Sequence, residues 1–115
     1  MAPLIVPHYT ADAAVRQKVQ ALLTRRQPEA RDVFDLYILS PQPEAQSLPL
    51  GDYFPEEEIQ RAIDRIDSIE YERYRDTVVG FLSPEDQQLY DRSETWDRIR
   101  LMVIDMLEKR LPGKP

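Results

Sequence analysis

The chain of 115 residues contains no cysteine and only one histidine, His8. Without cysteine it can form neither a disulfide nor a thiolate metal site, and one histidine argues against a histidine-based metal site within one chain. No apolar run approaches the length of a membrane span, and the N-terminus lacks a basic region followed by an apolar core. We therefore expect a cytoplasmic protein that does not enter a membrane.

The chain also has no excess of positive charge. The formal net charge is −6, from 15 basic and 21 acidic residues. Residues 1–40 carry five basic and four acidic residues, whereas residues 41–115 carry ten and seventeen. The acidic second part would repel a phosphate backbone, so the chain as a whole is not typical of a nucleic-acid-binding protein. A contact with phosphate is expected only in the first forty residues, which contain Arg16, Lys18, Arg25, Arg26 and Arg31.

The spacing of apolar residues predicts an all-α fold, with five to six helices in a single compact bundle over residues 1–115. Thr10 is a suitable N-cap for a first helix from about Ala11 to Arg26. A second helix, from roughly Glu29 to Ser40, has almost no polar face and should be buried on most sides. Residues 4–6, which lie between two prolines, predict at most one short edge strand that needs a partner.

Later helices are marked by capping residues or proline. These starts are Pro55, Ser68, Ser83 and Ser93. The pattern leaves open whether the helices after Pro55 and Ser68 are one or two. Residues 41–54 form a proline-containing connection whose apolar side chains can pack. The apolar pattern predicts that Trp96, Met102 and Met106 lie in the core, and it places Val78 and Phe81 on the helix that follows Ser68.

Charged residues interrupt the apolar pattern of the first two helices at regular spacing. Lys18 and Arg25 lie on one line of the first helix, about 10 Å apart at 1.5 Å per residue. Asp32 and Asp35 share a face of the second helix, and Arg31 can pair with Asp35 one turn away. Carboxylates beside cations suit a site that handles phosphates and a hard cation, because carboxylates bind Mg²⁺ while Lys and Arg hold phosphates.

The same residues also have a purely structural interpretation, which is the commoner one for such a pattern. Asp32 lies near a helix start, where an acid is favoured by the helix dipole. Asp35 can simply pair with Arg31, or with Arg25 across the two helices. The spacing alone leaves both interpretations open.

Two runs of residues resemble a known family. They are Lys18-x-x-Ala21-Leu22-x-x-Arg25 and Arg31-Asp32-x-x-Asp35-Leu36-Tyr37-x-Leu39. Both look like the third and fourth motifs of the AbiEii-type nucleotidyltransferase toxins, which are abortive-infection and type IV toxin–antitoxin proteins. Phe81-Leu82 and Trp96-x-x-Ile99…Val103 resemble the C-terminal helices of that family, so the resemblance covers most of the chain.

The resemblance implies transfer of a nucleotide from a nucleoside triphosphate (NTP) to an acceptor, with Mg²⁺ as cofactor and tRNA ends as one class of acceptor. Lys18, together with Arg25 and Arg31, would bind the nucleotide. Asp32 and Asp35 would be the catalytic residues of this portion, ordering the active-site face, with one of them acting on the acceptor hydroxyl. Arg31 stands where many members have lysine, a change that keeps the charge but not the shape.

The opening motifs of that family are missing. They are a Gly-Gly turn followed by a hydroxyl residue, and a strand-borne Asp-x-Asp that binds the metal ions, whereas the only glycines here are Gly51, Gly80 and Gly113. No metal ligand is therefore assigned to this chain, and we expect it to be inactive alone. The resemblance implies that this chain is a C-terminal half, either separately encoded and completed by a second polypeptide that carries the N-terminal half, or a truncated gene product. Residues 4–6 would then be the last fragment of the missing sheet.

The alternative is a non-enzymatic helical module for protein interaction, or an oligomerising remnant. The absent catalytic half and an unpaired strand at residues 4–6 favour it, and it predicts a homo-oligomer. A small regulator of the antitoxin type is a further option, although no basic recognition helix is evident.

Overall fold

The computed structural model describes residues 10–109, and every regular element in that range is helical. The α-helices are α1 (Ala11–Thr24), α2 (Ala30–Leu39), α3 (Pro43–Ser47), α4 (Glu56–Asp67), α5 (Tyr71–Thr77), α6 (Pro84–Tyr90) and α7 (Ser93–Glu108). One-turn 3₁₀ helices lie at Leu50–Asp52 and Val79–Phe81. The all-α prediction is confirmed. The count exceeds six because the proline-containing connection itself contains α3. The predicted strand at residues 4–6 and His8 lie outside the described residues.

Helix α1 begins where its sequence predicts and ends two residues early. The hydroxyl oxygen of Thr10 accepts a hydrogen bond from the backbone N–H of Ala13 at 3.4 Å, as expected of an N-cap. At the other end Arg25 has left the helical conformation, with φ −66° and ψ 143°. Arg65 of α4 donates hydrogen bonds to the backbone carbonyls of Leu22 and Arg25. These carbonyls at the C-terminal end of α1 would otherwise be paired only if the helix continued for another turn.

The central segment contains two helices, α4 and α5. Ser68 does not cap α5: its hydroxyl donates to the carbonyl of Arg65 at 2.6 Å and closes α4. Ser83 does cap α6, accepting from the backbone N–H of Asp86 at 3.3 Å. Ser93 is the first residue of α7 rather than its cap.

The core is formed where α1 contacts α2 and α4, and where α7 contacts α2, α4 and α5. Trp96 lies at its centre, fully buried, with its ring stacked on Tyr74 at 4.6 Å between centroids. The indole N–H donates to the carbonyl of Ile69 at 2.9 Å. The core placement of Trp96 and Met106 is confirmed, but that of Met102 is wrong, because Met102 lies half-exposed on the outer side of α7. Within residues 10–109 no helix has both the length and the apolar character needed to cross a bilayer.

Helix α2 is enclosed over most of its surface, as its sequence predicts. Val33 and Leu36 are fully buried, and Ile38 is half-exposed. The other apolar side chains are partly buried against the core, namely Phe34, Tyr37 and Leu39.

The position of Phe81 differs from the prediction. Phe81 was expected on the apolar stripe of one helix that continues through Val78. Instead α5 ends at Thr77, and the 3₁₀ turn that follows changes the register and directs Phe81 outwards.

Candidate functional site

The structure brings all five predicted site residues together where α1 meets α2. Lys18 lies on α1 and Arg25 is the residue directly after its last turn, while Arg31, Asp32 and Asp35 lie on α2. The apolar faces of the two helices pack against each other, which places the charged edge of one helix beside that of the other. We call these five side chains the charged cluster.

Asp32 is the centre of the charged cluster. It is the only charged or polar residue among the described residues that is buried, with its side chain 1% exposed. Its Oδ1 lies 3.3 Å from Nζ of Lys18, and its Oδ2 accepts from Nε of Arg25 at 2.8 Å. Each carboxylate oxygen therefore faces its own cation, which is what makes burial of this charge tolerable.

Asp35 forms the outer half of the cluster. Its Oδ2 lies 2.7 Å from Nζ of Lys18, so the lysine bridges both carboxylates. Nε of Arg31 lies 4.0 Å from the same oxygen, at the limit of an ion pair and beyond a hydrogen bond. Pairing of Asp35 with Arg31 is thus present but loose. The alternative pairing of Asp35 with Arg25 does not form, because Arg25 is directed at Asp32.

The electrostatic environment keeps Lys18 and Arg25 charged. Burial by itself would lower the pKa of Lys18, but the hydrogen bonds and charges of Asp35 and Asp32 outweigh burial, so this pKa lies above its ordinary value. The hydrogen bond to Asp32, reinforced by the carboxylate charge, likewise raises the pKa of Arg25. Three cations against two carboxylates leave the cluster with a net charge of +1.

Unused hydrogen-bond donors remain on this cluster. Lys18 has three N–H groups and two carboxylate partners, and Arg25 uses only Nε on Asp32. Among the described residues, the terminal nitrogens of Arg25 and the whole guanidinium of Arg31 make no hydrogen bond. Guanidinium forks match the oxygens of phosphate, so the outer edge of the cluster can bind an anion.

The cluster does not fit Mg²⁺, the ion that the family resemblance implies. Both oxygens of Asp32 are taken by cations, and Asp35 faces Lys18. A divalent cation here would have to displace ammonium and guanidinium groups from their partners. Nowhere within residues 10–109 do three side chains of the Asp, Glu, His or Cys type come together as a ligand set.

Two features beside the cluster were missed from the sequence. Arg65 fixes the backbone at Arg25 from a position 40 residues away, a contact for which the spacing gives no signal. A narrow cleft lined by Phe34, Val78, Phe81 and Leu82 opens next to Arg31 and Asp35. The apolar spacing places Phe81 on a helix and gives no signal that its side chain is exposed.

Comparison of the chain with protein-family models, with curated proteins and with solved structures finds no match. The charged cluster and the sequence motifs described above are therefore the features of the chain that indicate a function.

Proposed function

We propose that the charged cluster binds the triphosphate of a nucleotide, and that the chain is the helical portion of an AbiEii-like nucleotidyltransferase. On this account the Gly-Gly and Asp-x-Asp half belongs to a second polypeptide. That polypeptide, not this chain, holds Mg²⁺, and tRNA is an acceptor only by analogy with the family. The chain alone then binds nucleotide without transferring it.

One observation supports the proposal most strongly: a single buried carboxylate holds two cations whose side chains remain partly exposed. Asp32 fixes Lys18 and Arg25 from the protein side, at 3.3 Å and 2.8 Å. Cations held in this way lose less conformational freedom when an anion binds than free surface side chains would.

The geometry divides the roles of the two carboxylates. Asp32 is enclosed and fully engaged, so it acts as a positioning residue for Lys18 and Arg25 and does not touch the ligand. Asp35 is partly exposed at the cluster edge, where its Oδ1 makes no hydrogen bond with another described residue. It is the carboxylate placed to accept a proton from an acceptor hydroxyl once the second polypeptide completes the site.

Calorimetric titration with each of the four ribonucleoside triphosphates tests this function. We expect wild-type protein to bind, Lys18→Ala to lose most of the affinity, and Lys109→Ala to behave as wild type. Lys109 is a control because it is also ion-paired to an aspartate, Asp105 at 3.0 Å, but lies directly after the end of α7, outside the charged cluster. Absence of binding in wild type, or an equal loss in both variants, would contradict the proposal.

A second candidate is the non-enzymatic interaction module. Leu101 and Met102 are adjacent exposed apolar side chains on α7, outside the charged cluster and rimmed by charged residues. Such a patch is typical of a protein–protein contact. Sedimentation at increasing concentration tests it. A homo-oligomer that Leu101→Glu dissociates supports this candidate, and a strict monomer opposes self-association.

A further inference from the structure

The cleft beside the charged cluster is lined by an exposed aromatic side chain, Phe81. Phe81 is 79% exposed, the highest value among the exposed large apolar side chains of the described residues. It stands over a small cleft of about 110 Å³ that is otherwise walled by Phe34, Val78 and Leu82. An aromatic ring in this position leaves a flat apolar face open to solvent.

This cleft is continuous with the charged cluster. Arg31 and Asp35 belong to both, since they line the cleft on the α2 side. The other wall comes from the 3₁₀ turn at Val79–Phe81 and its neighbours, so two separate segments of chain meet there. A ligand that joins an anionic group to a flat aromatic ring would place one part on each of these adjoining surfaces.

We propose that the cleft binds the base of the nucleotide whose triphosphate lies on Lys18, Arg25 and Arg31. This inference rests on the proposed function and adds where the base is held. Every base presents a flat π-face, and stacking on an exposed aromatic side chain is tolerant of base identity. The site therefore takes nucleoside triphosphates as a class, and purine nucleotides bind more tightly than pyrimidine nucleotides because they stack over a larger area.

Other exposed apolar side chains do not offer this combination. Leu89 lies on α6 and Leu101 on α7, and neither lines a cleft with a residue of the cluster. Tyr53 is half-exposed but faces the guanidinium of Arg16 at 4.5 Å on a different side of α1. Of these surfaces within residues 10–109, the Phe81 cleft is the one that shares residues with the proposed phosphate site.

The test compares two ligands, ATP and inorganic tripolyphosphate, on the full chain. Phe81→Ala should weaken ATP binding by about tenfold, the scale of one base–aromatic stack, and leave tripolyphosphate binding unchanged. Leu89→Ala, which removes a side chain that is 68% exposed elsewhere, should change neither. Lys18→Ala should weaken both ligands. Thermal unfolding of each variant checks the fold, which Phe81→Ala and Leu89→Ala should leave nearly unaltered. Lys18→Ala removes a partner of buried Asp32 and should lower the unfolding temperature without abolishing the folded state.

The outcomes separate this inference from the proposed function. If Lys18→Ala weakens both ligands while Phe81→Ala affects neither or both equally, the phosphate site stands and the base site is wrong. If wild-type protein binds neither ligand, both proposals fail. If Leu89→Ala weakens ATP binding as much as Phe81→Ala does, the effect is not one of base stacking in the cleft.

Discussion

Substitution of Asp32 by alanine is the sharpest perturbation of the charged cluster. It removes the only charged or polar residue buried among the described residues and leaves Lys18 and Arg25 without their common partner. A hydrogen bond to a charged group contributes about 1.5–3 kcal/mol, and breaking a fully buried ion pair costs about 3–5 kcal/mol.

The expected loss lies below the upper figure because neither cation is left both buried and unpaired. Lys18 keeps Asp35 at 2.7 Å, and the Arg25 side chain is 46% exposed and can reach water. We expect Asp32→Ala to lower the free energy of unfolding by about 2–3 kcal/mol. Asp35→Ala is the matched control. Its carboxylate is partly exposed and pairs at the surface, so its removal should cost no more than about 1 kcal/mol.

Urea denaturation of both variants measures the two losses. If the slope of unfolding free energy against urea concentration is the same in wild type and both variants, the three proteins expose the same surface on unfolding. Their midpoints can then be compared directly. A loss for Asp32→Ala that is no greater than that for Asp35→Ala would refute the assignment of Asp32 as the anchor of the cluster.

Other predictions concern pH and the core. The pKa of Lys18 is raised in the folded protein, so its contribution to stability is complete below the ordinary value of 10.5 and is lost as pH rises through the folded pKa. The difference in unfolding free energy between wild type and Lys18→Met should therefore shrink as pH rises through the folded pKa of Lys18 in alkaline urea titrations. Burial raises the pKa of Tyr74, so unfolding is favoured once pH passes the ordinary phenol value of 10.0, where the unfolded chain ionises first. Tyr74→Phe should reduce that alkaline loss while costing about 1 kcal/mol at neutral pH, because the hydrogen bond to the carbonyl of Tyr90 is removed. Trp96→Ala should destabilise by about 3–5 kcal/mol in thermal or urea unfolding; a cost under about 1 kcal/mol would show that Trp96 is not at the core.

Two helix starts could be predicted from the sequence because an N-cap depends on residues that are close along the chain. Thr10 and Ser83 cap their helices because the cap geometry involves only the next three residues. Ser68 was misassigned because one serine can close a helix or open one, and the choice depends on the turn that follows.

The sequence predicted which residues form the charged cluster but not which cation pairs with which carboxylate. Spacing placed Lys18 and Arg25 on one helix and the two aspartates on the next. The rotation of α2 against α1, which decides that Arg25 meets Asp32 rather than Asp35, is set by packing of the whole core. The contact of Arg65 with the end of α1 has the same origin, as it joins residues 40 positions apart.

The most direct test of the central claim is to locate the bound triphosphate by NMR, following backbone amide shifts of labelled protein as ATP is added. The account predicts shifts concentrated on the charged cluster, around Lys18, Arg25 and Arg31, and their loss in Lys18→Ala. Shifts centred elsewhere, such as around Arg73 or Lys109, would contradict it, as would a spectrum that ATP does not change.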